Sequence, residues 1–88
     1  VFIDPSSVED NSSSIDIYPN PATHFITIEN NNRIKNITIL DIQSRVVYSE
    51  KVNSESRIID VSHLSNGVYI VEVSTSNTVI RKEFVISN

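Results

Sequence analysis

An all-β, antiparallel sandwich of about seven short strands is the fold this sequence predicts, on three observations. From Ile15 onward, β-branched and aromatic residues recur in short alternating runs, and no segment sustains a helical period. Asn, Ser, Pro and Asp, the residues that favour turns, separate those runs. The runs 15–18, 24–29, 34–41, 46–52, 57–61, 68–74 and 78–86 return at the close spacing of a two-sheet sandwich.

The chain has 88 residues, one domain's worth, and it starts without Met, so it reads as a piece of something longer. Chains of this size bury roughly 60–65% of their unfolded surface, which commits most apolar residues to the core. Little is left to enclose an active site. With no Cys, disulfides and thiolate metal sites are excluded. The net charge is −4 and the seven Lys and Arg are scattered, which argues against nucleic acid as a partner. No apolar run approaches the roughly 20 residues of a membrane-spanning helix, and the N-terminus lacks a signal-peptide pattern.

Residues 1–14 end in a polar, acidic stretch without periodicity and read as a linker from a preceding passenger domain. Their apolar start, Val1-Phe2-Ile3, fits either the tail of that domain or a strand pairing onto a sheet edge. Residues 15–88 form the folded domain. Alternation assigns its inner face: Tyr69, Val71 and Val73 in one run, Ile80, Phe84 and Ile86 in the last, with Ile26, Ile28, Ile37, Ile39, Ile59 and Val61 completing the set.

Connections are marked by residues with a physical reason to be there. Pro19-Asn20-Pro21 breaks the first run from the second, because proline fixes φ and lacks an N–H donor. Asn30-Asn31-Asn32 reads as a loop, and Ser76-Asn77 as the turn of a final hairpin. Asn66-Gly67 fits a tight turn or a longer connection between sheets, and Gly67, the lone glycine, reads as a position that a Cβ would strain.

Three segments together carry a family resemblance: Ile17-Tyr18-Pro19-Asn20-Pro21-Ala22, the central 39–47 hairpin, and 59–69 with its Gly67-Val68-Tyr69 end. From about Ile15 to Ile86 the chain resembles the type IX secretion C-terminal sorting domain (type A). The resemblance implies an immunoglobulin-like sandwich at the C-terminus of a larger bacterial protein of the Bacteroidota. It implies recognition in the periplasm by the type IX machinery, export of the N-terminal passenger across the outer membrane to the cell surface or medium, and removal by a sortase-like protease. Here the cut would fall in or near residues 1–14.

Residue by residue, Pro19, Asn20 and Pro21 match the family's first motif, Gly67 and Tyr69 its second, and Lys82 the basic position of the last strand. With Val85 and Ile86 at the end of that strand they are recognition candidates, none of them catalytic. The sequence departs from the family at Ser44, where glycine is frequent, at His24, where an acid is common, and at the end Ile86-Ser87-Asn88, which lacks a terminal lysine.

Other readings are weaker. His24 and His63 are isolated loop or strand-end histidines rather than metal ligands, and Asp4, Glu9 and Asp10 lack the spacing of a calcium loop. No Gly-x-Ser-x-Gly elbow accompanies the serines. No enzyme activity, cofactor or small-molecule substrate is expected. Arg81 and Lys82 fit cross-strand pairing with Glu72 or a charged patch, and the edge of the 78–86 strand offers backbone groups to a receptor. The alternative is a retained immunoglobulin-like adhesion or carbohydrate-binding module.

Overall fold

The structure, a computed structural model, describes residues 15–87; the linker expected over 1–14 and the final Asn88 lie outside the described residues. Five strands follow in order: β1 (Ile15–Tyr18), β2 (Phe25–Leu40), β3 (Val46–Asp60), β4 (Gly67–Ser74) and β5 (Val79–Ile86). All pair antiparallel, in the order β1-β2-β4-β5, with β3 on β2 as well.

The expected count of about seven is corrected to five, because runs 24–29 and 34–41 merge into β2 and runs 46–52 and 57–61 into β3. Asn30-Asn31-Asn32 is therefore not a loop. Asn30 continues the ladder opposite Ile15. On the β3 side, Glu29 pairs with Ser56 and Ile34 with Ser54, so four residues of β2 stand against Glu55 alone. Such a surplus is absorbed as a bulge, which bends a strand without ending it.

The bend is large. Sixteen residues of straight strand would span about 53 Å at roughly 3.3 Å per residue, yet the longest dimension of the molecule is 41 Å. On β3, the Arg57 guanidinium lies 3.0 Å from the Glu50 carboxylate, a contact that a straight strand would forbid across seven residues. The β2–β3 ribbon is thus folded over, and its halves lie in different layers. One layer holds β1, the first half of β2 and the second half of β3; the other holds the first half of β3, the second half of β2, β4 and β5.

Between the layers lies the core predicted by alternation. Ile26, Ile28, Ile37, Ile39, Ile59, Val61, Tyr69, Val71, Val73, Phe84 and Ile86 are buried, joined by Ile15, Ile17, Ala22 and Ile34, while Ile80 is half-buried. Each fully buried Ile or Phe contributes about 1.5–3 kcal/mol relative to exposure. Polar groups close the open flanks. On the β3 side the Tyr48 hydroxyl donates to Glu50, which also receives Arg57. On the opposite flank Lys82 Nζ donates to the Ile15 carbonyl at 3.1 Å, tying β5 to β1 across the layers.

The connections follow from local chemistry. Thr75 N–H donates to the Thr78 carbonyl at 2.9 Å, closing the expected β4–β5 hairpin over Ser76-Asn77. The segment before Gly67 is a longer connection, since β3 pairs with β2 and β4 with β2 and β5. In the β2–β3 turn, Asp41 Oδ1 accepts from the N–H groups of Gln43 (2.9 Å) and Arg45 (3.0 Å), while Ser44 takes a left-handed φ of 67°.

Candidate functional site

The Pro19-Asn20-Pro21 corner leaves β1 and folds onto the end of β5, with the Tyr18-Pro19 and Asn20-Pro21 peptide bonds both cis. Its Ala22 is fully buried and pairs with Ile86 in a parallel bridge. Ala22 N–H donates to the Val85 carbonyl at 2.8 Å, and Ser87 N–H donates to the Ala22 carbonyl at 2.9 Å. One step further, Asn20 Oδ1 accepts the Val85 N–H at 3.0 Å. The carboxamide stands where the carbonyl of a neighbouring strand would, so corner and side chain together supply the missing edge partner of the last strand's end.

On the other side of β5, Gly67 pairs with Ile86, Val68 with Val85 and Tyr69 with Phe84. The Tyr69 and Phe84 rings lie 5.8 Å apart at a 30° tilt, a separation typical of aromatic pairs in cores. The Tyr69 hydroxyl donates to the Ser65 carbonyl, 2.7 Å away and four residues upstream, the geometry of the tyrosine corner of immunoglobulin-like sandwiches. It pins the connection before β4. Gly67 has φ +154°, in a region that side-chain-bearing residues rarely adopt, and a Cβ there would meet its nearest neighbour, the Tyr69 ring, only at 4.0 Å. Backbone conformation, not crowding, requires glycine here.

The candidates therefore fall into two places. Pro19, Asn20, Pro21, Gly67, Tyr69, Val85 and Ile86 converge at one end of the sandwich, around the end of β5. Lys82 is apart from them, on the flank that faces β1. Tyr69 and Ile86 are buried, so their side chains shape the end rather than present it, whereas Asn20 and Val85 reach the surface. The edge of β5 is open only in part. Val85 turns its N–H and carbonyl to the corner, and by the two-residue period Glu83 and Arg81 turn theirs to the same side.

Beside this end lies an open groove of about 540 Å³ between the 41–45 turn and the 63–69 segment, with Ile42, Leu64 and Val68 among its apolar walls. Its charged groups are committed locally: Arg45 Nε donates to Asp41 Oδ2 at 2.9 Å, and the backbone N–H of Arg45 first, then that of Gln43 and the Arg45 side chain, hold the Asp41 carboxyl below its ordinary range against a partial desolvation. His24 and His63 both influence Asp60, but its Oδ1 is taken by the hydroxyl (2.6 Å) and N–H (2.8 Å) of Ser62, which lower its pKa before the histidines add their smaller effect. Among the described residues no group of three or more His, Asp or Glu is placed to hold a metal ion. Sequence reasoning missed the Tyr48–Glu50–Arg57 cluster, because nothing in a run of residues announces that Glu50 and Arg57 will meet across a bend.

The family model of the secretion system C-terminal sorting domain matches residues 16–87. Among solved structures, the chain is similar to a DUF3244 family protein with an immunoglobulin-like β-sandwich fold from Bacteroides vulgatus, at 18% identity and a TM-score of 0.66, covering 85% of this chain and 96% of that one. It is also similar to part of PorZ, described as an essential bacterial surface component of the type IX secretion system of Porphyromonas gingivalis, at 18% identity and a TM-score of 0.68. That match covers 99% of this chain but 13% of PorZ. A search of curated proteins finds no match. The likeness to the first shows the immunoglobulin-like sandwich; the family match assigns the role, a sorting signal for export to the cell surface or beyond, and points to a non-catalytic domain. On that match over nearly the whole described chain, the protein belongs to the type IX secretion C-terminal sorting domain family.

Proposed function

We propose that this domain directs a passenger protein, joined to it through residues 1–14, from the periplasm across the outer membrane, and is then cut away by a sortase-like protease in or near that segment. The observation that carries the reading is the family match over 16–87. The domain itself performs no chemistry and takes no cofactor or small-molecule substrate; it acts by being bound.

The end of the sandwich supports the proposal that a folded surface is read. Asn20 and Val85 are held in fixed relation by the corner, and Pro19 and Pro21 stand exposed beside them. Gly67 and Tyr69 set the geometry of the adjoining β4, and Lys82 fixes β5 against β1. Ile86 anchors the last strand in the core.

The experiment is the mass of the exported passenger. Residues 1–88 are fused to the C-terminus of a periplasmic fluorescent reporter in a host with a type IX system, and the reporter is recovered from medium and cell surface. Exported reporter lacking the sandwich supports removal and locates the cut. Exported reporter that keeps the full sandwich contradicts removal and turns attention to a retained adhesion or glycan-binding module. A parallel fusion lacking the last five residues, which removes Phe84 and Ile86 from the core, should stay in the periplasm.

A further inference from the structure

The outer face of the β1–β2–β3 layer adjoins the corner, which runs from Tyr18 at the end of β1 to Phe25 at the start of β2. Pairing places Tyr18 opposite Thr27 and Thr27 opposite Ile58, with Phe25 two residues before Thr27. Tyr18 and Ile58 thus flank one threonine from the two neighbouring strands, and Phe25 precedes it on the same face of β2. They remain 46%, 50% and 58% exposed. Single exposed apolar residues are ordinary, but three clustered on a sheet face with no described residue over them mark an interaction surface.

Charge identifies what fits there. The same face carries Asp16, Glu29 and Asp60, with Asp16 opposite Glu29 and Asp60 opposite Phe25, and none of its positions (16, 18, 25, 27, 29, 56, 58, 60) is Lys or Arg. Among the described residues, the basic groups that lower the Asp60 pKa are His63 and His24, after the hydroxyl and N–H of Ser62. On the outer face of the other layer the charges balance, Lys51 and Arg81 against Glu72 and Glu83, and Arg81 bonds Glu72 directly at 2.7 Å. We infer that the Tyr18–Phe25–Ile58 face docks a protein surface that is apolar at its centre and rimmed by Lys or Arg, a component of the export machinery that binds this domain.

A second copy of the chain is the wrong occupant, since facing two such surfaces would bring like carboxylates together without a cation. The chain's own 1–14 segment is equally unsuited, because it carries Asp4, Glu9 and Asp10 and no Lys or Arg. An anionic polysaccharide would meet the same repulsion. The inference rests on the sorting function.

The test uses the reporter fusion of residues 1–88 with three sets of changes. The first, Tyr18→Thr, Phe25→Thr and Ile58→Thr, removes the apolar centre while keeping strand-forming residues. The second, Asp16→Lys and Glu29→Lys, inverts the rim and removes no apolar surface, so it remains informative if the first set fails to fold. The control, Val46→Thr and Val79→Thr, alters exposed apolar residues elsewhere. Export in the first two sets should fall at least tenfold, with thermal melts showing folded domains, and the control should export as the parent does. Export of a folded rim-inverted fusion at the parent's level, or of the folded apolar variant at that level, overturns the proposal. Sedimentation showing a dimer of the 88-residue chain that the first set abolishes identifies a second copy as the occupant and overturns it too. A parent fusion that is never exported instead refutes the sorting reading, and this face falls with it.

Discussion

Asn20 and Val85 are 65 positions apart, yet the Asn20 carboxamide oxygen accepts the Val85 backbone N–H at 3.0 Å. This bond joins the first corner to the last strand, and it turns Pro-Asn-Pro from a local stop signal into a tertiary contact. Asn20→Ala should lower stability by about 1 kcal/mol, the usual worth of one hydrogen bond. Asn20→Asp, which keeps an acceptor at that site, should lose less. Equal destabilisation of both variants in urea melts would show that the carboxamide's bond is not what holds the strand end.

Gly67 is the second fixed point. At φ +154°, any other residue is strained whatever the space around it. We expect Gly67→Ala to cost roughly 1–3 kcal/mol, which for a domain of this size lowers the melting temperature by at least about 4–8 °C. An unchanged melt would mean that the segment before β4 relaxes freely.

The opposite correction is available at Ser44, which adopts φ 67° where glycine is comfortable. Because left-handed geometry costs a side-chain-bearing residue roughly 1–2 kcal/mol and glycine pays back part of that in unfolded-chain entropy, Ser44→Gly should stabilise by about 0.5–1 kcal/mol. A fall in the urea midpoint would contradict this.

Acid should loosen the domain. Partial burial alone would raise Glu50, but the Tyr48 hydroxyl and Arg57 outweigh it and hold the carboxyl below its ordinary value. Asp41 is lowered by the N–H of Arg45, and Asp60 by Ser62. A group whose folded pKa is depressed contributes stability that is complete above its unfolded pKa and is lost as pH falls through the folded one. The loss therefore begins at about pH 5 and deepens below it. Melting temperatures from pH 7 to pH 2 should show that decline, and Glu50→Gln, less stable at pH 7, should decline less. Parallel curves for the two proteins would remove Glu50 from the account.

Much of this was legible in the residues. Period-two alternation gave the inner set from Ile26 to Ile86 because a strand has no other way to bury one face, and Pro19, Pro21 and Gly67 marked breaks because their backbone preferences are absolute. The merging of runs at Asn30 to Arg33 was hidden, since three asparagines suit a loop and a bulge alike, and the surplus against Glu55 exists only in the pairing. The Asn20–Val85 bond, the Lys82–Ile15 tie and the Tyr18–Phe25–Ile58 cluster are likewise products of register. Motif residues could be named from sequence; that seven of them share one end, and that Lys82 stands apart, could not.

The most direct test of the sorting role is fractionation of the reporter fusion in two otherwise identical hosts, one with a working type IX system and one without. Reporter at the surface or in the medium of the first host and confined to the periplasm of the second is the predicted result. Equal periplasmic retention in both hosts, with a control fusion exported normally from the first, would contradict it.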